Sequence, residues 1–449
     1  MPTKLRRFLH RTTLALILLQ LATGRAHADT WLPLSQGYYG VPGAYLGSSI
    51  AVGTGPDAQG RQVANRVYVG QPYASDGTLA ECGSVQVYVP GAGGWVPAGT
   101  LYAAQRQAGA HFGASLAYGS GHLVVGAPDY TVGGNNAGYA EFLFDNGASV
   151  PAIVSKRAIV GTGGSFGNAV AVNVDVAAVA RVNSVNGCVS TFHFDIGTQT
   201  WNNLPAVNDI VCSSNSGAAF GSSVAILRTG SNSFLLVAGA PGETQNANAL
   251  AGAAHVYIPN PDTGTGGFVE VGTLAAESPT AFDFFGTSVG IDNQYIYVGA
   301  TGRDNGAGRV GSVTIFKPAS IIGYDYLSEY FPGPPATVGG HCGASLSVDA
   351  ANSQFILGCP DSDDIYYTKA GTARVFRQIT FLGQPVWLES VLSYGTQPHG
   401  ANFSLGRSVA IAGDQAFAGA PNAHFTGQTG NGAWKAFLLD KIFNDGFGP

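Results

Sequence analysis

The sequence predicts an all-β protein built as one array of short strands. The chain has 449 residues, of which 65 are glycine, whereas charged residues make up only 11%. This composition suits short strands joined by glycine turns and is poor for long amphipathic helices. The third observation is a phrase that recurs along the chain. We therefore expect one large repeat domain with almost no helix.

The repeated unit is clearest between Phe112 and Phe144, where three apolar runs follow one another. The second run stops at Pro128, which cannot donate a hydrogen bond to a strand ladder. The Gly, Asn and Asp residues between 129 and 138 favour an irregular loop there. The unit therefore contains three strands and two connections.

Seven copies of this unit run along the chain, and three positions mark each copy. The first strand opens with a glycine that usually follows an aromatic residue and precedes a small residue and an aliphatic one: Gly47, Gly113, Gly167, Gly221, Gly286, Gly343 and Gly406. The second strand ends in a GAP-like phrase at Gly70, Gly126, Gly239, Gly299, Gly358 and Gly419, whereas the third copy has Val179-Ala180-Arg181 in that place. The third strand opens at Gly83, Gly138, Gly187, Gly252, Gly311, Gly371 and Gly432.

With these markers the chain resembles the FG-GAP repeat family, which includes the integrin alpha-subunit propeller and many secreted bacterial proteins. The resemblance covers roughly residues 30 to 440. It implies a seven-bladed β-propeller of four-stranded antiparallel blades. The aromatic residue before each opening glycine is expected to fill the gap between adjacent blades, and burying such a ring stabilises a fold by roughly 1.5 to 3 kcal/mol.

Aromatic residues also mark the fourth strands, at Trp95, Trp201, Phe268 and Trp387. The last copy has no such residue. Trp31 precedes the first copy instead, so the segment from Thr30 to Pro33 looks like a fourth strand without a blade of its own. We expect it to close the last blade, because a shared blade removes the open edges of a linear array.

The first 28 residues have the pattern of a secretory signal: Arg and Lys residues, an apolar run, and Ala26-His27-Ala28 before Asp29. The propeller is then expected over residues 29 to 440, followed by a tail at 441 to 449. No later segment has the length of a membrane span, so we expect export to the cell surface, the periplasm or the medium. The net charge of −6 and the absence of a basic cluster after the first eleven residues exclude nucleic acid as an expected partner.

Export makes disulfides possible for four of the five cysteines. Cys342 and Cys359 occupy the aromatic and alanine positions of one hairpin, and Cys188 and Cys212 flank the third and fourth strands of another copy. We expect these two bonds. Cys82 has no obvious partner and is either a buried thiol or the site of an intermolecular bridge.

We expect no cofactor and no metal, with calcium as the less favoured alternative. Many FG-GAP relatives carry a calcium loop between strands one and two, but the corresponding turns here, such as Gly119-Ser120-Gly121, have too few carboxylates for six to eight oxygen ligands. The acidic cluster from Asp361 to Asp364 is expected to be a solvated loop, and a metal site there is the less favoured alternative. The chain has no HExxH motif and no GxSxG nucleophile elbow, the turn that leads from a strand into a helix, and most of its scattered histidines are expected at turns or strand surfaces.

The leading functional hypothesis is a secreted or cell-surface binding scaffold for a protein or glycan, and catalysis is the less favoured reading. The loops after the GAP phrase vary completely between copies and should share one face of the propeller. The candidate contacts on it are Tyr73, Tyr130, Asp361, Asp363, Tyr366, Tyr367 and Phe425. The two alternatives are a hydrolase with its active site in the channel and a structural component of an envelope assembly.

Overall fold

In the computed structural model, the chain folds into seven antiparallel sheets arranged as a ring of blades. The described residues are 30–34, 38–56, 62–145, 147, 154–161, 163–182, 187–203, 210–213, 215–230, 233–260, 267–319, 323–334, 337–364, 366–393, 401–424 and 430–440. The expected signal segment, the tail and Phe425 lie outside them. The all-β seven-bladed propeller predicted from the repeats is confirmed.

Within each blade the strands follow one another from the channel to the rim. In blades 1 to 4 they are Ser49–Pro56, Gln62–Gln71, Ser84–Gly91 and Gly94–Leu101; Ser115–Gly119, His122–Ala127, Tyr139–Phe144 and Val154–Val160; Ala169–Asn173, Val176–Arg181, Cys188–Asp195 and Thr200–Asn203 together with Ile210–Cys212; and Ser223–Gly230, Ser233–Ala240, Ala253–Pro259 and Phe268–Leu274.

Blades 5 to 7 repeat the same order. Their strands are Phe285–Ile291, Ile296–Ala300, Ser312–Pro318 and Tyr324–Tyr330; Ser345–Asp349, Gln354–Cys359, Thr372–Phe381 and Gln384–Leu392; and Ser408–Ala412, Gln415–Ala420, Ala433–Asp440 and Thr30–Pro33. The short strand Tyr38–Tyr39 also pairs with Ala433–Asp440.

The N-terminal strand closes the ring, as the sequence predicts. Trp31 lies opposite Leu439, and the antiparallel register runs from Thr30 opposite Asp440 to Pro33 opposite Phe437. The Trp31 side chain is buried and packs with residues of blades 6 and 7. The sheet that contains the last repeat therefore also contains the first described residues of the chain.

The hydrophobic core lies between the blades, because each sheet packs both of its faces. Phe112 is fully buried among Val85 and Val87 of blade 1 and Leu123 and Val125 of blade 2. Its backbone also forms a parallel bridge with Gly83, at the start of the third strand of blade 1. The aromatic residue before the opening glycine thus fills the gap between blades, as expected.

A ring of serine hydroxyls joins the blades around the channel. The serine two residues after each opening glycine donates to the carbonyl of the opening glycine in the next blade, at 2.6 to 2.9 Å: Ser49 to Gly113, Ser115 to Gly167, Ser223 to Gly286, Ser288 to Gly343, Ser345 to Gly406 and Ser408 to Gly47. The GAP glycine lies opposite this serine, and a Cβ at Gly419 would overlap both Oγ of Ser408 and the carbonyl oxygen of Gly47.

Blade 3 departs from this rule at both positions. Ala169 replaces the serine, and Ala180 lies opposite it where the other blades have glycine. The two changes belong together, because the Ala180 methyl group is tolerated only where no hydroxyl fills the space beside it. The contact between blades 3 and 4 therefore lacks the serine bond. At its other end Arg228 of blade 4 forms an ion pair with Asp175 of blade 3, at 3.2 Å.

One local expectation is wrong. The segment 129–138 is not an irregular loop throughout, because Thr131–Val132 and Asn135–Asn136 pair as a small hairpin around Gly133-Gly134, both with positive φ. Most of the described histidines are partly or fully exposed, as expected, whereas His122 and His255 are buried. Helix is nearly absent, as expected: the described residues contain one 3₁₀ turn, Ala350–Asn352.

Cys188 is bonded to Cys212 and Cys342 to Cys359, the two pairs expected from the sequence. The Cα atoms are 4.1 and 3.9 Å apart, since both pairs join residues that lie side by side in a blade. Cys82 is a buried free thiol. Within the described ranges, no helix has the length and apolar character that a membrane crossing requires.

Candidate binding face

The two faces of the ring carry different connections. Since the strands alternate in direction, one face carries the loops between strands two and three and the connections from each fourth strand to the next blade. We call it the upper face. The lower face carries the short turns between strands one and two and between strands three and four. All the candidate contact residues in the described part of the chain lie on the upper face.

A recurring contact fixes the upper loops of each blade. The residue two positions before each opening glycine has a positive φ in all seven copies: Tyr45, His111, Ser165, Ala219, Phe284, His341 and Ser404. In several blades its side chain meets the residue after the GAP proline. His111 Nδ1 lies 2.7 Å from Asp129, His341 Nδ1 lies 2.6 Å from Asp361, and Asn422 donates to Ser404 Oγ. Asp361 therefore ties the start of its blade to the loop that follows strand two.

Two of the candidate residues lie over blades 1 and 2. The exposed ring of Tyr73 lies between Tyr45 and His111, with ring centroids 5.1 and 4.4 Å away. Tyr130 is only half-buried, but its ring stacks on Tyr139 and its hydroxyl faces Gln105. Tyr73 is thus free to meet a partner, whereas much of the Tyr130 ring is used within the fold.

Four further candidate residues lie over blade 6, and blade 7 separates them from the first group. Tyr366 and Tyr367 are 49% and 41% exposed, although their amide groups are held. Both N–H groups donate to Oδ1 of the buried Asp364, at 2.8 and 2.7 Å. Asp363 accepts from the backbone N–H of Lys369 at 2.8 Å. The loop therefore presents two tyrosine rings from a fixed backbone.

The acidic cluster does not converge on a common point. Asp361 faces His341, Asp363 accepts from Lys369, and Asp364 accepts from the two tyrosine amides. Each carboxylate is engaged by a different local donor, which is the arrangement of a structured turn. Across the described ranges, no group of three or more His, Cys, Asp or Glu side chains is placed to hold a metal ion.

The structure adds residues of blade 5 that sequence reasoning missed. Val338 and Phe282 are 66% and 50% exposed. Arg309 connects them, because its guanidinium donates to the carbonyls of Ala281, Phe282 and Gly302, and its own carbonyl accepts from Gly339. Thr337 Oγ1 then accepts from the N–H of Asp363 at 3.2 Å. We call this connected surface, Phe282, Arg309, Val338, His341, Asp361, Tyr366 and Tyr367, the crest.

The channel is the second candidate site. Its volume is about 500 Å³, and its wall consists of the first strands of all seven blades. Within the described part of that wall the ionisable side chains are Tyr118 and Asp349, and burial raises the pKa of Tyr118. The Asp349 carboxylate already accepts from the Gly413 N–H at 2.7 Å and the Asn352 side chain at 2.8 Å. These two groups belong to blades 2 and 6, and no hydrogen bond between them is found among the described residues.

One stretch of the chain matches the model of a known family. Residues 268–316 match the family model of the FG-GAP repeat. This match runs from the rim strand of blade 4 to the third strand of blade 5, so it contains two complete connections of the upper face: the one from blade 4 to blade 5 and the loop between strands two and three of blade 5. No curated protein matches the chain significantly. Among solved structures, the chain is similar to Sqt1 of Saccharomyces cerevisiae, with 12% identity and a TM-score of 0.47 over 87% of this chain and 84% of that one.

Proposed function

Because the chain is a seven-bladed β-propeller of the FG-GAP type, we propose that it is a secreted or cell-surface scaffold that binds a protein or glycan partner. The binding surface is the upper face, and the crest is its centre. Residues Tyr73 and Tyr130 over blades 1 and 2 are a second candidate area of the same face.

The observation that carries this proposal is the presentation of Tyr366 and Tyr367. Exposed aromatic rings are the side chains that most often dominate binding energy at interfaces. These two are exposed, and the buried Asp364 carboxylate fixes the backbone that bears them. A loop that is already ordered loses less conformational entropy when a partner binds. The remaining exposed apolar residues of the crest, Phe282 and Val338, enlarge the same area.

Export is part of the proposal. The two disulfides are compatible with an oxidising compartment, in which such bonds persist. An N-terminal secretory signal over residues 1 to 28 would deliver the chain there. Sequencing the N-terminus of the secreted protein tests this directly, and a mature chain that starts far from Asp29 contradicts it.

The binding test uses the mature chain against an array of glycans and a panel of purified surface proteins. The test variant is Tyr366→Ala/Tyr367→Ala, which keeps Asp364 and the loop backbone. The matched control is Ile196→Ala/Leu382→Ala, which removes two of the most exposed aliphatic side chains from turns on the lower face. We expect the first variant to bind at least tenfold more weakly and the control to bind like wild type. Equal loss in both variants would place the site elsewhere.

Two alternatives have their own tests. A hydrolase would turn over substrates in a broad screen, and its activity would depend on channel residues such as Tyr118. A structural component of an envelope assembly would be recovered only in a large complex. In either case the tyrosine variant would behave like wild type.

A further inference from the structure

His255 lies on the third strand of blade 4 and carries a carboxylate on each side of its ring. Nδ1 is 2.9 Å from Oε1 of Glu270, on the rim strand, and Nε2 is 2.8 Å from Oε2 of Glu243, in the upper loop. A carboxylate only accepts hydrogen bonds, so both ring nitrogens must donate. The arrangement therefore requires the charged imidazolium form.

The surroundings keep the two carboxylates aimed at the ring. Gln245 donates to the other oxygen of Glu243 at 2.8 Å, and Thr273 donates to Glu270 at 2.6 Å. Phe220, at the start of the blade, packs against the ring, and Tyr257 on the same strand is the remaining titratable neighbour. Burial alone would lower the pKa of His255, but the hydrogen bonds and charges of the two glutamates outweigh it and raise the pKa.

The loop that contains Glu243 supports part of the crest. Its carbonyls at Ala249 and Leu250 accept from the N–H groups of Phe282 and Phe284, at 2.9 and 3.0 Å. Asn248 donates to the carbonyl of Pro279 at 3.1 Å. Three non-glycine residues of this loop, Asn246, Ala247 and Leu250, have a positive φ. Such a backbone persists only when its surroundings hold it.

We propose that His255 is a proton-operated latch on the upper face. In its charged form it ties the loop after the second strand of blade 4 to the rim strand, and this loop holds the segment that carries Phe282. When the imidazolium loses its proton, one ring nitrogen has no hydrogen to donate to the carboxylate that it faces. The hydrogen bond to Glu243 or to Glu270 is then lost. The loop is then released and the Phe282 side of the crest loses its support.

The direction of the effect follows from linkage. Because the folded protein holds the His255 proton more tightly than the unfolded chain, the stabilisation is fully present below the ordinary histidine pKa of about 6.5. It is lost as the pH rises through the higher pKa of the folded state. The latch is therefore closed below about pH 6.5 and opens as the pH rises through the higher pKa of His255 in the folded protein.

The experiment follows His255 by NMR and the Phe282 and Phe284 amides by hydrogen exchange, between pH 6 and pH 9 in the mature chain. We expect His255 to titrate above pH 6.5. After correction for the intrinsic pH dependence of exchange, the protection of the two amides should fall as His255 loses its proton. The total fall should be about tenfold for each unit by which the pKa of His255 exceeds 6.5. In Glu270→Gln, which changes a partly exposed partner, the fall should shift to lower pH. In His255→Gln it should disappear.

The matched control is His193→Gln, which changes the histidine of the third strand in blade 3, where the ring has a single carboxylate partner, Asp175. This variant should keep the wild-type fall in protection. A His255 pKa at or below 6.5, or protection that does not change with pH in wild type, would overturn the latch.

The proposal rests on the proposed function only in linking the latch to binding. The exchange measurement needs no ligand. It can therefore support the latch even if no binding partner is found, and it can contradict the latch even if a partner binds.

Discussion

The hydroxyl of Ser408 donates a hydrogen bond of 2.7 Å to the carbonyl oxygen of Gly47, a residue 361 positions away in the sequence. The same bond links neighbouring blades elsewhere in the ring, but here it joins the last repeat to the first. Together with the pairing of Thr30–Pro33, it closes the propeller both at the channel and at the rim.

We expect Ser408→Ala to lower the free energy of unfolding by about 1 to 3 kcal/mol, because the buried carbonyl of Gly47 loses its donor. Urea unfolding measures the change. The control is Ser48→Ala, which removes a hydroxyl that bonds only within its own turn, to Tyr45. If the two variants lose the same stability, the Ser408 bond has no special part in closure.

Closure at the rim depends on Trp31. Its side chain is 9% exposed, whereas that of Leu32, which points to the other side of the strand, is 49% exposed. We expect Trp31→Ala to cost about 3 to 5 kcal/mol and Leu32→Ala to cost less than about 0.5 kcal/mol. Thermal unfolding of the two variants compares them directly. A tolerated Trp31→Ala would mean that the N-terminal strand adds little to the ring.

The disulfide of blade 6 occupies positions that Phe112 and Ala127 occupy in blade 2. Loss of a native disulfide lowers the free energy of unfolding by about 2 to 5 kcal/mol. A phenylalanine buried in the gap between blades should restore about 1.5 to 3 kcal/mol of it. We expect Cys342→Phe/Cys359→Ala to melt at a higher temperature than Cys342→Ala/Cys359→Ala. The reverse order would show that the gap between blades 5 and 6 has no room for the ring.

Lys435 is buried, and burial lowers its pKa to about 8. Between that value and the ordinary lysine pKa of about 10.4, the unfolded chain binds the proton more tightly, so stability should rise with pH by up to 1.4 kcal/mol per unit. Deprotonation of His255 lowers stability as the pH rises, which is the opposite direction. The difference in the free energy of unfolding between wild type and Lys435→Met therefore isolates the contribution of the lysine. Urea unfolding at pH 8, 9 and 10 measures it. Parallel profiles would contradict the lowered pKa.

The fold should not depend on calcium. In blade 5 the turn between strands one and two already uses Asp292, whose Oδ1 accepts from the N–H groups of Gln294 and Tyr295, each at 2.7 Å. We therefore expect the melting temperature of the mature chain to be the same in a chelator and in millimolar calcium. A rise of many degrees with calcium would reveal a site that these turns do not suggest.

The repeats made much of the fold predictable because each structural requirement recurs at the same position. A ring such as Phe112 must fill a gap of fixed size, and a residue such as Gly126 must leave room for a hydroxyl, so both are visible as periodic residues. Trp31 could be placed because the last copy lacked a fourth-strand marker and Trp31 stood before the first copy without a blade of its own. The acceptor of the Ser408 hydroxyl was not predictable, because a backbone carbonyl leaves no trace in the sequence.

The candidate site was less predictable because the loops have no period. Tyr366 and Tyr367 stand out by residue type alone, but the dependence of their backbone on Asp364 follows from a turn conformation. Val338 lies beside Gly339, whose N–H donates to the Arg309 carbonyl, and no local sequence pattern indicates this contact. The partners of His255 come from a loop and from a rim strand, and only the folded blade brings these two segments together.

The pairing of Thr30 with Asp440 would also set the orientation of the ring if either end of the chain were attached to a surface. Thr30 begins a rim strand and Asp440 ends the strand beside it, so both lie at the lower face. A tether attached before Thr30 or after Asp440 would start at the lower face of the ring, which is opposite the crest. A propeller anchored by either end of its chain would therefore stand with Tyr366, Tyr367 and Phe282 turned outward, toward whatever approaches from solution.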